Sequence, residues 1–323
     1  MVVQTLIDFE RAPVFAIPTI DPVGGLTVRE GMLIEGPQGW GEFSPLPHDG
    51  APARWLTAAI EPGTVGWPDP VRGRVPIAVT VPAVDAARAH RIATDSTCRT
   101  AAVEVGAGPL AADIERVQAV RDALGPDGIL RCDAKGRWDA DSAVAAIVAL
   151  DRAAGGLEFV AQPCPTLDEL AQVRRRVEVP IAAAESIRDA ADPMNVRLGD
   201  AADFCVLASG PLGGARRALR VAEACGLPCA VASTLETTIG LASGLALAGA
   251  LPQLPFACEL GTRGLLAGDV VADSRSLVVA GGYLPVAPMP PAPQRELLER
   301  YAVTEPARLA AWRARLQAAI STS

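Results

Sequence analysis

The stretch ILRCDAKGRWDADSAVAAIVALDRAAGGLEFVA, residues 129–161, decides the fold. Its ends, 129–133 and 157–161, are apolar runs of strand length, and the segment 139–150 between them has helical patterning. That order, strand then helix then strand, is a βαβ unit and implies a parallel sheet.

The same alternation extends in both directions. Apolar runs recur at 101–105, 181–184, 204–208, 229–233 and 256–260, and helix-length stretches at 113–124, 167–177, 214–225 and 236–251 lie between most of them. In 113–124 the residues Ile114, Val117, Val120 and Leu124 recur at helical spacing. Helices tend to end near Gly and strands to begin near Pro, as in Gly226-Leu227-Pro228. Seven strands with their helices in this span suit a barrel better than an open sheet, and no Gly-rich dinucleotide loop is found. The first ~80 residues differ. Strands at 27–34 and 39–43, joined by the turn 35–38, and a helix at 53–60 make a small α+β unit. A Pro-rich connector, 285–293, leads to a last helix at 306–318 that is expected to pack back on this unit.

Composition narrows the function. Half the residues are hydrophobic and only 4% aromatic, so Ala, Val and Leu build the core, which suits strands buried on both faces. A net charge of −8 argues against nucleic acid or an anionic membrane as partner. The run Arg174-Arg175-Arg176 reads as the wet end of a helix. No charge-free apolar run reaches the ~18 residues that span a bilayer. The nearest, 239–251, reads as a buried helix, and with no signal-peptide pattern in residues 1–11 the expected compartment is the cytoplasm. The seven cysteines include no CxxC pair, and only His48 and His90 could complete a zinc site, so reduced buried thiols are expected. Cys132 and Cys164 have no neighbouring His to activate them.

In a barrel of this kind the chemistry sits at the carboxyl ends of the strands. The candidate residues are therefore Ala102, Glu104, Asp133, Lys135, Ala161, Ala184, Glu185, Ala208, Ser209, Ser233, Thr234 and Glu236.

A series of phrases carries a resemblance: Gly-Trp-Gly-Glu-Phe-Ser-Pro (39–45), Thr-Val-Pro-Ala-Val (80–84), Gln-Pro-Cys (162–164), Pro-Ile-Ala-Ala (180–183), Glu-Ser-Ile-Arg (185–188) and Pro-Leu-Gly-Gly (211–214). In this order the chain resembles the o-succinylbenzoate synthases, in the muconate-lactonising branch of the enolase superfamily, from about residue 27 to 285. The resemblance implies an α/β fold, a modified (β/α)7β TIM-type barrel over 83–284, with an α+β capping domain over 1–82 completed by 285–323. It also implies one Mg²⁺ ion, abstraction of a proton next to a carboxylate, an enediolate held on the metal, and a lysine on each side of the substrate.

Matched residue by residue, the family's Lys-x-Lys falls on Ala102-Val103-Glu104, and its opposite lysine on Ala208. Of its three metal carboxylates, the first is Asp133 while the others fall on Ala161 and Ala184. The usual Asn after the first is Lys135; an Arg of the capping unit is Gly24, and an Asn of the first barrel strand is Ala78.

On this matching the expected site holds no metal and no cofactor, because one Asp beside an ammonium does not supply an oxygen shell for Mg²⁺. Lys135, Glu104 and Asp133 are the expected catalytic groups. Glu104 and Lys135 read either as a pair of shifted acidity or as a salt bridge filling the vacated place with Asp133. Glu185 reads as facing the same cavity or supporting Lys135, and Ser233 and Glu236 as substrate contacts or helix caps. The Ala-lined mouth suggests an apolar small molecule, and a repurposed, metal-independent cyclase or isomerase without synthase activity. The alternatives are a non-catalytic binding protein and, should the strand ends be misaligned, an o-succinylbenzoate synthase. A homo-oligomer stays open.

Overall fold

The computed structural model describes residues 7–47, 49–287 and 289–322. His48 and the first six residues, on which the histidine and N-terminal readings partly rest, lie outside the described residues.

Three antiparallel strands come first: β1 (Val14–Val23), β2 (Leu26–Gly36) and β3 (Gly39–Phe43), followed by helix α1 (Pro52–Ile60). β1 has no counterpart among the expected strands. Pro18 and Pro22 interrupt its alternation, and its register with β2 shifts between Pro18 and Val23. A short strand β4 (Arg74–Pro76) leads into the barrel. There β5 (Ala78–Val81), α2 (Ala86–Asp95), β6 (Thr100–Glu104), α3 (Leu110–Leu124), β7 (Ile129–Asp133), α4 (Ala140–Ala154), β8 (Val160–Ala161) and α5 (Leu167–Arg174) alternate. The series continues with β9 (Ile181–Ala183), α6 (Glu185–Arg188), β10 (Phe204–Leu207), α7 (Ser209–Leu212), α8 (Ala215–Cys225), β11 (Cys229–Val231) and α9 (Thr238–Ala250). The chain closes with β12 (Tyr283–Pro285), which pairs with β4, and helices α10 (Arg295–Arg300) and α11 (Pro306–Ser321).

β5 to β11 form one parallel sheet in chain order. Parallel bridges Ile77↔Cys258 and Ala232↔Glu259 join its two edges through the run around 258, so the sheet curls shut. The first strand of this sheet, β5, lies ahead of the boundary expected at 82/83.

The opening stretch shows why the βαβ unit forms. Asp139 caps α4 by accepting from the Asp141 and Ser142 amides, and Gly155 ends it in a left-handed conformation at φ 65°. Ala143, Ala146, Ile147 and Leu150 form its buried stripe. Along β7, Leu130 and Cys132 pack outward under the helices, so Arg131 and Asp133 take the other side of the strand, toward the barrel interior. Inside the barrel, Phe159, Ala161, Ala182, Ala230 and Phe256 pack with Phe204 and Val206. α9 is buried along nearly its whole length, as 239–251 suggests.

A second core joins Met32, Ile34 and Phe43 of the N-terminal sheet to Trp55 and Leu56 of α1 and Trp312 and Leu316 of α11. The last helix thus packs on the first unit, with Phe43 and Trp312 edge to face at 6.2 Å. Two carboxylates of this layer dock it on the barrel. Glu42 accepts from the Thr237 and Gly240 amides at the start of α9, and Glu61 from the Ala215 and Arg216 amides at the start of α8. The glycine of the Gly-Glu pair is required as well, since a Cβ on Gly41 would lie 1.9 Å from the Ala59 carbonyl oxygen.

Candidate active site

At the carboxyl ends of the barrel strands lies a cavity of about 380 Å³, roofed by the β1–β2 turn of the N-terminal layer. It brings together Ala102, Glu104, Asp133, Lys135, Ala161, Ala184, Glu185, Ala208, Ser233 and Thr234 of the expected residues. Ser209 and Glu236 are not part of its lining. They border a separate small recess beside Trp55 and Glu42. Glu236 reaches the mouth from behind, accepting from the Ser233 hydroxyl and the Thr234 amide. The cap of α9 is Thr237, whose hydroxyl accepts from the Ile239 amide, rather than Ser233 or Glu236.

Five polar or charged lining residues are absent from the sequence candidates: Thr80, Arg137, Arg188, Glu259 and Thr262. Arg188 stood in a quoted phrase, and Glu259 is a lone charge inside the apolar run 256–260, which was a usable signal. Thr80 likewise opened a quoted phrase, 80–84, while Arg137 and Thr262 carried no signal. These residues also correct the picture of an apolar mouth, because the small alanines are ringed by seven ionic side chains.

The charges pair differently from the expected Glu104–Lys135 couple. Lys135 Nζ donates to Asp133 Oδ2 at 2.6 Å, while its backbone N–H donates to Asp133 Oδ1 at 3.1 Å. Glu104 instead accepts from Arg137 Nη2 at 2.7 Å and from the Gly24 amide at 3.1 Å. The turn of the N-terminal layer is thereby tied to the end of β6. Gly24 has φ 56°, the left-handed region that suits glycine. Lys135 is also left-handed, at φ 52°, a conformation that costs a lysine about 1 kcal/mol or more and is sustained by its two bonds to Asp133.

Glu185 does not bond Lys135. Its Oε1 accepts from Arg188 Nη1 at 3.2 Å, while Oε2 is buried with no hydrogen-bond partner. Burial, and then the neighbouring Asp133 charge, raise the Glu185 carboxyl above its ordinary range. Burial pulls Lys135 down, but Asp133, Glu185 and Glu104 outweigh it and hold the ammonium above the ordinary lysine value. Deeper in the barrel, fully buried Arg131 lies 2.9 Å from Glu158 and 3.6 Å from Glu259, with its guanidinium over the Phe159 ring at 4.6 Å. Burial, opposed by Arg131, pushes Glu259 up to about 7. Cys132 and Cys164 are buried thiols raised by burial, so neither is an activated nucleophile.

The Mg²⁺ centre that the resemblance implies does not fit these side chains. Asp133 is bound twice by Lys135, the positions to which the resemblance assigns the other two ligands hold Ala161 and Ala184, and among the described residues no group of three His, Cys, Asp or Glu could hold a metal.

The profile described as enolase N-terminal domain-like matches residues 14–63, and that described as enolase C-terminal domain-like matches 84–292. An o-succinylbenzoate synthase of Thermobifida fusca is 53% identical over 94% of this chain and 94% of that one. The chain belongs to the o-succinylbenzoate synthase family. The synthase of Mycolicibacterium smegmatis is 45% identical over 93% of this chain and 92% of its own. Among solved structures, the fold matches the muconate lactonizing enzyme of Pseudomonas fluorescens, 23% identical, with a TM-score of 0.77 over 92% of this chain and 98% of that one. It also matches the L-Ala-D/L-Glu epimerase of Bacillus subtilis, 23% identical, with a TM-score of 0.71 over 89% and 96%.

These relatives overturn the expectation of a repurposed enzyme for an apolar intermediate, and that of a non-catalytic protein. The family is one of enzymes, the o-succinylbenzoate synthases. Among the described residues no helix is long and apolar enough to cross a membrane.

Proposed function

We propose that the chain is a lyase that forms o-succinylbenzoate. What carries this reading is identity of 45–53% to proteins of that name over more than nine-tenths of both chains. The cavity supports it with groups suited to a carboxylate substrate.

Lys135 is the group for the substrate carboxylate. Asp133 takes one of its three N–H donors and fixes its direction, leaving two for the ligand. Removing the proton next to that carboxylate moves negative charge onto its oxygens. A fixed ammonium at that place stabilises this charge more than it stabilises the resting substrate, which lowers the barrier. The tie from the Gly24 amide to Glu104 holds the turn over the cavity. No step is routed through a metal, since the residues present do not fit one.

The test is formation of o-succinylbenzoate from the family's carboxylate precursor by the purified chain, with and without added Mg²⁺. Saturable turnover supports the reading, and absence of product in both conditions refutes it.

A further inference from the structure

Two residues that line the cavity each carry a buried polar atom with no hydrogen-bond partner within the protein, Thr80 Oγ1 and Glu185 Oε2. A buried polar atom left unpaired is costly, and where it borders a cavity the missing partner is naturally a ligand. Their places in the barrel are related. Thr80 lies on β5, the first strand of the ring, and Glu185 follows β9, the fifth. Counting the closing run around 258, four strand steps separate them in either direction, so they stand on opposite walls. Lys135 follows β7, midway between them. A substrate whose carboxylate rests on Lys135 therefore has Glu185 on one side and Thr80 on the other.

We propose that Glu185 Oε2 takes the proton next to the substrate carboxylate, while the Thr80 hydroxyl holds the substrate from the opposite wall. This rests on the lyase reading above. The C–H bond breaks, its proton passes to Glu185, and its electron pair enters the new C=C bond as an oxygen leaving group departs from the neighbouring carbon. The protonated Glu185 then donates that proton to the departing oxygen, which returns the carboxylate to its starting form. Arg188, bonded to Glu185 Oε1, is a positioning residue that turns Oε2 toward the cavity. Arg188 is itself anchored by Asp189 at 2.7 Å.

The experiment compares the wild type with Glu185→Gln, Glu185→Asp, Thr80→Val and Thr80→Ser, reading product formation and, by calorimetry, affinity for o-succinylbenzoate itself. Glu185→Gln is expected to lower kcat roughly 10²–10⁴-fold while binding product as the wild type does, which shows that the pocket is folded. Glu185→Asp, keeping a carboxylate one methylene short, is expected to fall between. Thr80→Val is expected to raise KM with kcat nearly unchanged, and Thr80→Ser to restore it. Wild-type kcat in Glu185→Gln overturns this inference and leaves the lyase reading intact. No product from the wild type overturns both.

Discussion

Arg131 and Asp133 sit two residues apart on the same face of one strand, yet they belong to different charge clusters. Arg131 is enclosed, its guanidinium held between two carboxylates and a phenyl ring. Asp133 meets the cavity and holds an ammonium that has donors to spare. The floor is a buried charge cluster, with Glu259 shared between it and the cavity. The mouth is a set of pairs with openings left in it, at Lys135, Thr80 and Glu185.

Removing one member from each network breaks this contrast most sharply. Arg131→Met leaves two carboxylates buried without their cation and is expected to cost about 3–5 kcal/mol of stability, read as a lower denaturant midpoint. Lys135→Ala is expected to leave stability within about 1 kcal/mol of wild type, because the pair is only partly buried. Its turnover should nevertheless fall roughly 10²–10³-fold. Equal stability losses in the two variants would erase the distinction between floor and mouth.

A smaller effect is expected at the roof. Gly24→Ala puts a side chain on a left-handed residue, at a cost of about 1–2 kcal/mol, and its Cβ would come 3.8 Å from Lys135 Cε. A lower melting temperature with a raised KM is expected, while an unchanged KM would mean that the turn does not shape the site.

The smallest effect is a pH dependence. Glu259 and Glu42, each raised by burial from an ordinary 4.5 to about 7, bind protons more tightly in the folded chain than in the unfolded one. Their contribution to stability is complete below the unfolded value and is lost as pH rises from 4.5 through about 7. Denaturation curves across that window should flatten in Glu259→Gln and Glu42→Gln. An unchanged slope would show that the two carboxylates are already ionised in the folded chain.

The barrel was legible because its strands and helices repeat with different periods, and capping residues such as Asp139 and Gly155 mark the ends. β1 was not, because two prolines break its alternation while pairing with β2 still holds it. Most of the mouth could be placed by counting to strand ends. The partners could not, because pairing depends on side-chain reach. Arg137, four residues beyond Asp133, turns back to Glu104 on the neighbouring strand and leaves Lys135 to Asp133. Thr80 is a hydroxyl in an ordinary strand, and nothing in sequence says that it lacks a partner. The expectation of an apolar mouth fails for a related reason: its small strand-end residues show in the sequence, whereas the folding back that brings Arg137 and Arg188 to the mouth does not.

The central claim is that Lys135 receives a carboxylate in this cavity, and a crystal structure with o-succinylbenzoate bound tests it most directly. The account predicts a product carboxylate within hydrogen-bond distance of Lys135 Nζ, with Thr80 and Glu185 on either side of the ligand. Product bound elsewhere, or a cavity that stays closed to it at saturating concentration, would contradict the account.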